Sequence, residues 1–324
     1  TISVTSTISD SDGDKLSKST SFKIGDSLTF RDDGPFVAPT FASLSLPSVV
    51  SSLSVDETSL AINATTDFSG DFPSVAILPG NDGLKSQSVS YALAIDPGGS
   101  DSGLKDSATG DSVLLSKSLS GEVFGTINGG TTVVFKLTVD SVGKVTLDQQ
   151  RALVHPDALD PNDPVFLTPL KDGKQLISLV KSITTIDKDD DPLTENISLD
   201  LTTALEFRDD GPTAKNDTDA LVSGSNGPES GNVITGAGTT SGALGVDLSG
   251  ADAPASISAI SGAGGTDSTP GNGLSIAGSY GNLNIDTAGN YTYNRTPGSQ
   301  DNVNDVFTYT LKDSDGDLST ATLT

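Results

Sequence analysis

The sequence predicts an all-β chain of tandem antiparallel β-sandwich modules, and three observations carry that expectation. Apolar and polar residues alternate over short runs, the pattern of half-buried strands; Val89, Tyr91, Leu93 and Ile95 share one face of such a run. Turn-forming residues separate the runs, with 35 Gly and 16 Pro among 324 residues, and no stretch keeps a long helical period. One long stretch also recurs. Ser6 to Pro35 (STISDSDGDKLSKSTSFKIGDSLTFRDDGP) aligns without a gap on Ile183 to Pro212 (ITTIDKDDDPLTENISLDLTTALEFRDDGP).

A recurring period fixes where modules begin and end. Asp10, Asp12, Asp14, Leu16, Leu28 and the run Phe30 to Pro35 return as Asp187, Asp189, Asp191, Leu193, Leu205 and Phe207 to Pro212. A partial third copy, Asp313-Ser314-Asp315-Gly316-Asp317, lies near the end. Residues 1–35 are thus expected to be the closing strands of a preceding or partial module. Residues 36–212 would form a complete sandwich, and 213–324 a smaller one.

Taken in order, residues 1–35 place Ile2, Val4 and Ile8 on one face, then Phe22 and Ile24, then Leu28 and Phe30. That segment is too short to bury a core alone. The middle module opens with a Ser- and Pro-rich loop over 39–52. Strands are expected at 88–95, 112–115, 132–139, 144–147, 175–186 and 197–207, with 147–154 open to a helical turn. Long polar loops over 96–103 and 155–164 separate them. In the last module, strands are expected around Leu274, Leu283, Tyr291, Phe307 and 320–323. Tyr280 to Asp286 and Ala288 to Tyr293 read as a hairpin with a Gly-containing turn.

Charge narrows the function. Asp and Glu number 43 against 18 Lys and Arg, a formal net charge of -25. Such a surface repels phosphate backbones and anionic lipid, so nucleic acid and membrane insertion are not expected. No Cys is present, which leaves no disulfide framework; a structural metal is the usual substitute in a small module. The chain starts at Thr1 without an apolar leader or a run of spanning length, and is expected to be an internal segment of a longer protein.

The acidic residues are not scattered. Asp10/Asp12/Asp14, Asp187/Asp189/Asp191 and Asp313/Asp315/Asp317 alternate within turns, a spacing that can converge carboxylates on one hard cation. An EF-hand needs Gly at its sixth position and Glu at its twelfth, where these turns carry Lys15 and Ser21, Pro192 and Ser198, Leu318 and Thr324. A second set marks the module joints: Asp32, Asp33, Asp209 and Asp210 before Gly-Pro, then Asp217 and Asp219. Asp56 and Glu57 are placed to reach the same ion. Ca²⁺ is the expected cofactor. Mg²⁺ demands tighter octahedral geometry, and a single His without Cys disfavours zinc.

Catalysis is not expected. His155 is the only histidine, nothing singles out a Ser and Asp to complete a triad with it, and its setting before a Pro-rich loop suggests a structural role. The two long loops nominate a ligand site instead, with Asp96, Asp101, Asp157, Asp160 and Asp163 as contacts for a host or microbial peptide terminus or glycan. The competing reading of these loops is that they hold structural ions or none.

The middle module, with Ser88-Val89-Ser90-Tyr91-Ala92-Leu93, Lys144-Val145-Thr146-Leu147-Asp148-Gln149 and Ala152-Leu153-Val154-His155-Pro156, resembles the long repeat of giant type I-secreted adhesins. These are the RTX-type, biofilm-forming surface proteins of Gram-negative bacteria. The last module, with Asn216-Asp217, Tyr291-Thr292-Tyr293 and Phe307-Thr308-Tyr309-Thr310, is similar to the cadherin-like or VCBS-type domain that accompanies it. The resemblance implies calcium-stiffened Ig-like or cadherin-like sandwiches strung outside the cell at its surface. It implies a monomer that contacts the neighbouring modules of its own chain. Asp190 and Pro192 depart from the regular pattern of the acidic turn.

Overall fold

The computed structural model describes residues 1–38, 51–170 and 175–324. Most of the Ser- and Pro-rich loop expected over 39–52 lies outside them. The chain is all-β, with mostly antiparallel strand pairs among the described residues; Leu53–Asp56 runs parallel to Leu205–Arg208. Two compact units divide it: Thr1–Ala42 with Val75–Ser88 and Thr184–Thr194, and Ser43–Ser74 with Val89–Ile183 and Glu195–Thr324. These cut across the boundaries the repeat suggests, because the acidic turn at Asp187 associates with the Arg-Asp-Asp-Gly-Pro run at Asp32.

In the first unit, Ile2–Ser9 and Lys15–Phe22 form a hairpin in register from Ile2 opposite Phe22 to Ser9 opposite Lys15. One face is a ladder of hydroxyl pairs, Ser3 with Ser21, Thr5 with Ser19 and Thr7 with Ser17, at 2.7–2.8 Å. The repeat preserves this ladder. Thr184 meets Thr194 at 2.9 Å, where Thr7 meets Ser17 in the first copy. The other face carries Ile2, Val4, Ile8, Leu16 and Phe22, all exposed, as expected of strands without a core of their own. Phe36–Val37 pairs with Ile77–Leu78.

The second unit holds the large core. Six strands pair in the order Ala64–Asp67, Lys144–Gln149, Thr132–Val139, Val123–Ile127, Ser112–Lys117 and Asp101–Lys105. A three-stranded sheet, Pro164–Phe166, Leu205–Arg208 and Leu53–Asp56, supplies the opposing layer. Phe135 and Phe207 meet between them, ring centroids 5.2 Å apart. Gly125 makes that packing possible, since a Cβ there would run into the Phe135 ring. Leu147–Val154 contains no helical turn; the strand continues to Gln149, because Val145 and Leu147 keep their period-two burial. The run expected at 197–207 divides into Pro192–Asp200 and Leu205–Arg208.

The last module is a sandwich of two four-stranded sheets. Leu274–Ala277, Gly281–Ile285, Asn290–Arg295 and Glu229–Asn232 form one, and Ser256–Gly262 with Phe307–Lys312 and Leu318–Leu323 dominates the other. The expected hairpin is present: Leu283 lies opposite Tyr293, and Gly289 turns at φ 83°. Ile257, Ile260, Leu283, Tyr291, Phe307 and Tyr309 fill the space between the sheets.

These cores set a stability scale. Leu137 is fully buried in the six-stranded sheet while Leu119 is fully exposed. Leu137→Ala should cost about 3–5 kcal/mol in urea unfolding monitored by circular dichroism, and Leu119→Ala less than about 0.5 kcal/mol.

Candidate metal centres at the module joints

The three acidic turns share one geometry. The first Asp accepts a hydrogen bond from the backbone N–H four residues on: Asp14 to Asp10 at 2.9 Å, Asp191 to Asp187 at 2.8 Å and Asp317 to Asp313 at 2.7 Å. The same bond closes ordinary hairpins, Lys144 to Asp140 and Asn290 to Asp286, both at 2.9 Å. Turn shape therefore explains the first aspartate and nothing more. What sets the acidic turns apart is the second and third carboxylate.

Two of the turns meet a joint. In the first unit, Asp32, Asp33, Asp82, Asp187, Asp189 and Asp191 converge, with ligand atoms in groups of three all within 4.8 Å of one another. That is about twice a calcium–oxygen distance. Asp33 Oδ2 accepts from the Asn81 backbone and side chain at 3.1 and 2.8 Å, which fixes the loop carrying Asp82. Gly80 makes the approach possible: at φ 79°, a Cβ there would collide with the Asp33 carbonyl. Burial, and then the neighbouring Asp189, pushes the Asp187 carboxyl above the usual range. Asp187 Oδ2 is buried without a partner. Asp10, Asp12 and Asp14 also gather within 4.8 Å, fully exposed.

The second unit repeats the arrangement in a buried setting. Gly250, at φ 70°, abuts the Asp210 carbonyl as Gly80 abuts that of Asp33, and brings Asp252 to the joint. The Asp313 turn arrives beside Asp209. His155 N–H donates to Asp315 Oδ2 at 3.0 Å, and Asp209 N–H donates to the Asp163 carbonyl at 3.3 Å. His155 Nε2 lies 3.3 Å from Glu57 Oε1, and Nδ1 lies 3.3 Å from Asp163 Oδ1. Glu57 Oε1 further accepts from Gln149 Nε2 at 2.7 Å and Leu153 N–H at 3.0 Å. Glu57, His155, Asp209, Asp252, Asp313 and Asp317 are all buried.

Most of these carboxylates have an oxygen with no hydrogen-bond partner: Glu57 Oε2, Asp209 Oδ2, both oxygens of Asp252, Asp313 Oδ2, Asp315 Oδ1 and Asp317 Oδ2. Buried polar atoms are nearly always paired, so such a concentration marks a place where something else satisfies them. Electrostatics agrees. Burial pushes Asp209 up to about 8, with His155 opposing and Asp315 adding to the shift. Burial likewise pushes Asp252 to about 7 and, with Asp315 beside it, Asp313 to about 7. Burial would lower His155, but the Glu57 hydrogen bond and the surrounding carboxylates lift it to about 9. The imidazolium is one fixed cation among many carboxylates.

The remaining candidates from the sequence lie elsewhere. Asp56 accepts from Thr58 N–H at 2.9 Å, and Asp210 faces Asp56, which together with burial raises its pKa. Asp96, Asp101, Asp157 and Asp160 each accept from the backbone N–H two residues on, at 2.7–3.3 Å, the bond of a local turn. Asp163 belongs to the buried joint. Asp217 takes hydrogens from Ser241 at 2.6 Å and Tyr309 at 3.5 Å, and Asp219 takes one from Tyr291 at 2.5 Å. Sequence reasoning missed Asp82 and Asp252, single acids in unremarked loops. Their one shared mark is position, two residues after a joint-facing Gly.

Residues 52–202 match the model of a family described as a domain of unknown function, DUF5801. No curated protein matches the chain. Among solved structures, PcdhgB3 EC1–4 is similar over 100% of this chain and 56% of its own, at 11% identity and a TM-score of 0.22. Protocadherin gamma B7 extracellular cadherin domains 1–4 are similar over 86% of this chain and 49% of their own, at 11% identity and a TM-score of 0.21. The chain spans about half the length of these structures. Among the described residues, no helix is long and apolar enough to cross a membrane.

A pH dependence follows from the buried joint. Carboxyls raised in the folded state contribute stability that is full below their unfolded value near 4 and is lost as pH rises through about 7 to 8. His155 acts in the same sense, full below 6.5 and lost through about 9. In metal-free buffer the melting temperature should fall between pH 6 and pH 9, read by scanning calorimetry. Asp209→Asn should shrink that fall.

Proposed function

We propose that this chain is a calcium-stabilised, non-enzymatic segment of a large extracellular bacterial adhesin, in which cations at the joints turn a flexible string of sandwiches into a stiff spacer. The observation that carries it is the set of unpartnered, buried carboxylate oxygens on Glu57, Asp209, Asp252, Asp313, Asp315 and Asp317. Removing charges from water costs several kcal/mol each unless they are paired, and His155 alone does not balance this group. The donors are nearly all hard oxygens, the set that Ca²⁺ takes at six to eight positions. The joint in the first unit has the same ingredients, an Asp-Asp-Gly-Pro run, a Gly-x-Asp loop and an acidic turn.

The resemblance of the middle and last modules to repeats of type I-secreted adhesins supports the cell-surface setting, with adhesion and biofilm formation as the role. His155 supports a non-enzymatic reading, since both of its ring nitrogens face carboxylates. The segment acts as a monomer whose principal partners are the modules on either side of it.

The test is a crossover. Saturating Ca²⁺ should stabilise the chain by roughly 3 kcal/mol at a hundredfold excess over Kd. The double variant Asp252→Asn/Asp317→Asn should melt below the parent in calcium, having lost ligands. In chelator it should melt above the parent, having lost unpaired charge. Melting that ignores both calcium and chelator would refute the proposal.

A further inference from the structure

The last module opens at one end into a cavity of about 260 Å³ between the segments 219–225 and 300–305. It is separate from the joint and owes nothing to the calcium reading. Leu283, Phe307 and Leu323 line its depth, and Tyr280, Tyr291 and Tyr293 its wall. Around them stand Asp219, Glu229, Asp301 and Asp305. Among the described residues, Arg295 is the one cationic side chain in the lining, and it is paired with Asp301 at 2.7 Å.

The two inner tyrosines are tied to acids. Tyr291 donates to Asp219 Oδ2 at 2.5 Å, and Tyr293 donates to Asp305 Oδ2 at 2.7 Å. Asp305 also accepts from the Ser279 N–H at 2.6 Å and the Tyr280 N–H at 3.1 Å. These bonds pin the Tyr293 ring, whose edge contact with Phe307 has a centroid separation of 6.0 Å. A phenol that donates to a carboxylate carries more electron density on its ring. Such a ring attracts a cation over its face more strongly.

Chemistry selects the occupant. Anions are repelled by the four carboxylates, and the one guanidinium is already engaged. A purely apolar group would leave those carboxylates facing it without solvent. A compact organic cation satisfies both halves of the wall, its alkyl surface on the rings and its charge toward the acids. We infer that this cavity is a binding site for a small alkylated ammonium group, of the size and charge of choline.

The experiment uses the whole chain in calcium, with choline as probe and 3,3-dimethylbutan-1-ol, its uncharged isostere, as control. Choline should shift the tyrosine ring proton resonances saturably. The neutral isostere should bind about tenfold more weakly, the ratio expected of a desolvated cation–π contact. Glu229→Gln/Asp301→Asn leaves the acids that hold the tyrosines untouched and should weaken choline several-fold, with an unchanged melting temperature as the folding control. Tyr293→Leu should weaken it further. Equal binding of choline and its isostere, or no saturable shift up to tens of millimolar choline, overturns the inference and leaves a hydrated cavity.

Discussion

The gathering of buried carboxyl groups at the module joint is the constraint on which the rest of this molecule depends. Strands ending at Arg208 and Asp56, the loop before Asp163, the Gly250 turn and the Asp313 turn all deliver carboxylates to one buried place. Each element could end there with a neutral residue at no cost to its own fold. Desolvating a carboxylate costs far more than any local turn bond returns. Part of the compensation is His155 and part is proton uptake, which the raised pKa values of Asp209, Asp252 and Asp313 express; the cation proposed above would replace those protons.

The two joints show how one design tolerates different settings. Both place an Asp-Asp-Gly-Pro run against a Gly-x-Asp loop and an acidic turn, and both use a left-handed glycine to let the loop touch the run's carbonyl. In the first unit Asp32, Asp82 and Asp189 are exposed, so water and salt screen their mutual repulsion. In the second, Glu57, His155 and Asp163 close over the site and exclude that screening. A buried joint would gain more from a bound ion than an exposed one, so under the proposed calcium reading the exposed site would be the first to empty.

How much of this was legible in the sequence depends on the kind of signal. Strands with clean alternation, such as Thr132–Val139, could be read to the residue, because half-burial leaves its period in the side chains. Asp101–Lys105 and Val123–Ile127 were hidden in polar or Gly-containing runs whose strand character comes from neighbours in the sheet. The acidic turns stood out through repetition. Asp82 and Asp252 did not, since each joins its site through a tertiary contact made by a glycine two residues earlier. Asp163 and His155 were visible as residues but not as partners. Their loop is Pro-rich and polar, the composition of an exposed segment, and it is mostly exposed; His155 and Asp163 alone within it turn inward.

The division of labour between cores and joints decides what a cation at the joints would control. Twenty-odd apolar side chains around Phe135, Leu137 and Phe207 pack together in one core, and a smaller set around Phe307 and Tyr309 forms another. Burial of that extent, at about 25 cal/mol per Å², is the main term that holds each sandwich together. The joints have no comparable apolar area; they are carboxylates, a glycine and a proline. On the proposed calcium reading, ion loss would therefore act first on the joint and only then on the folded modules. A spacer built this way would stiffen or slacken with calcium while its links stay folded.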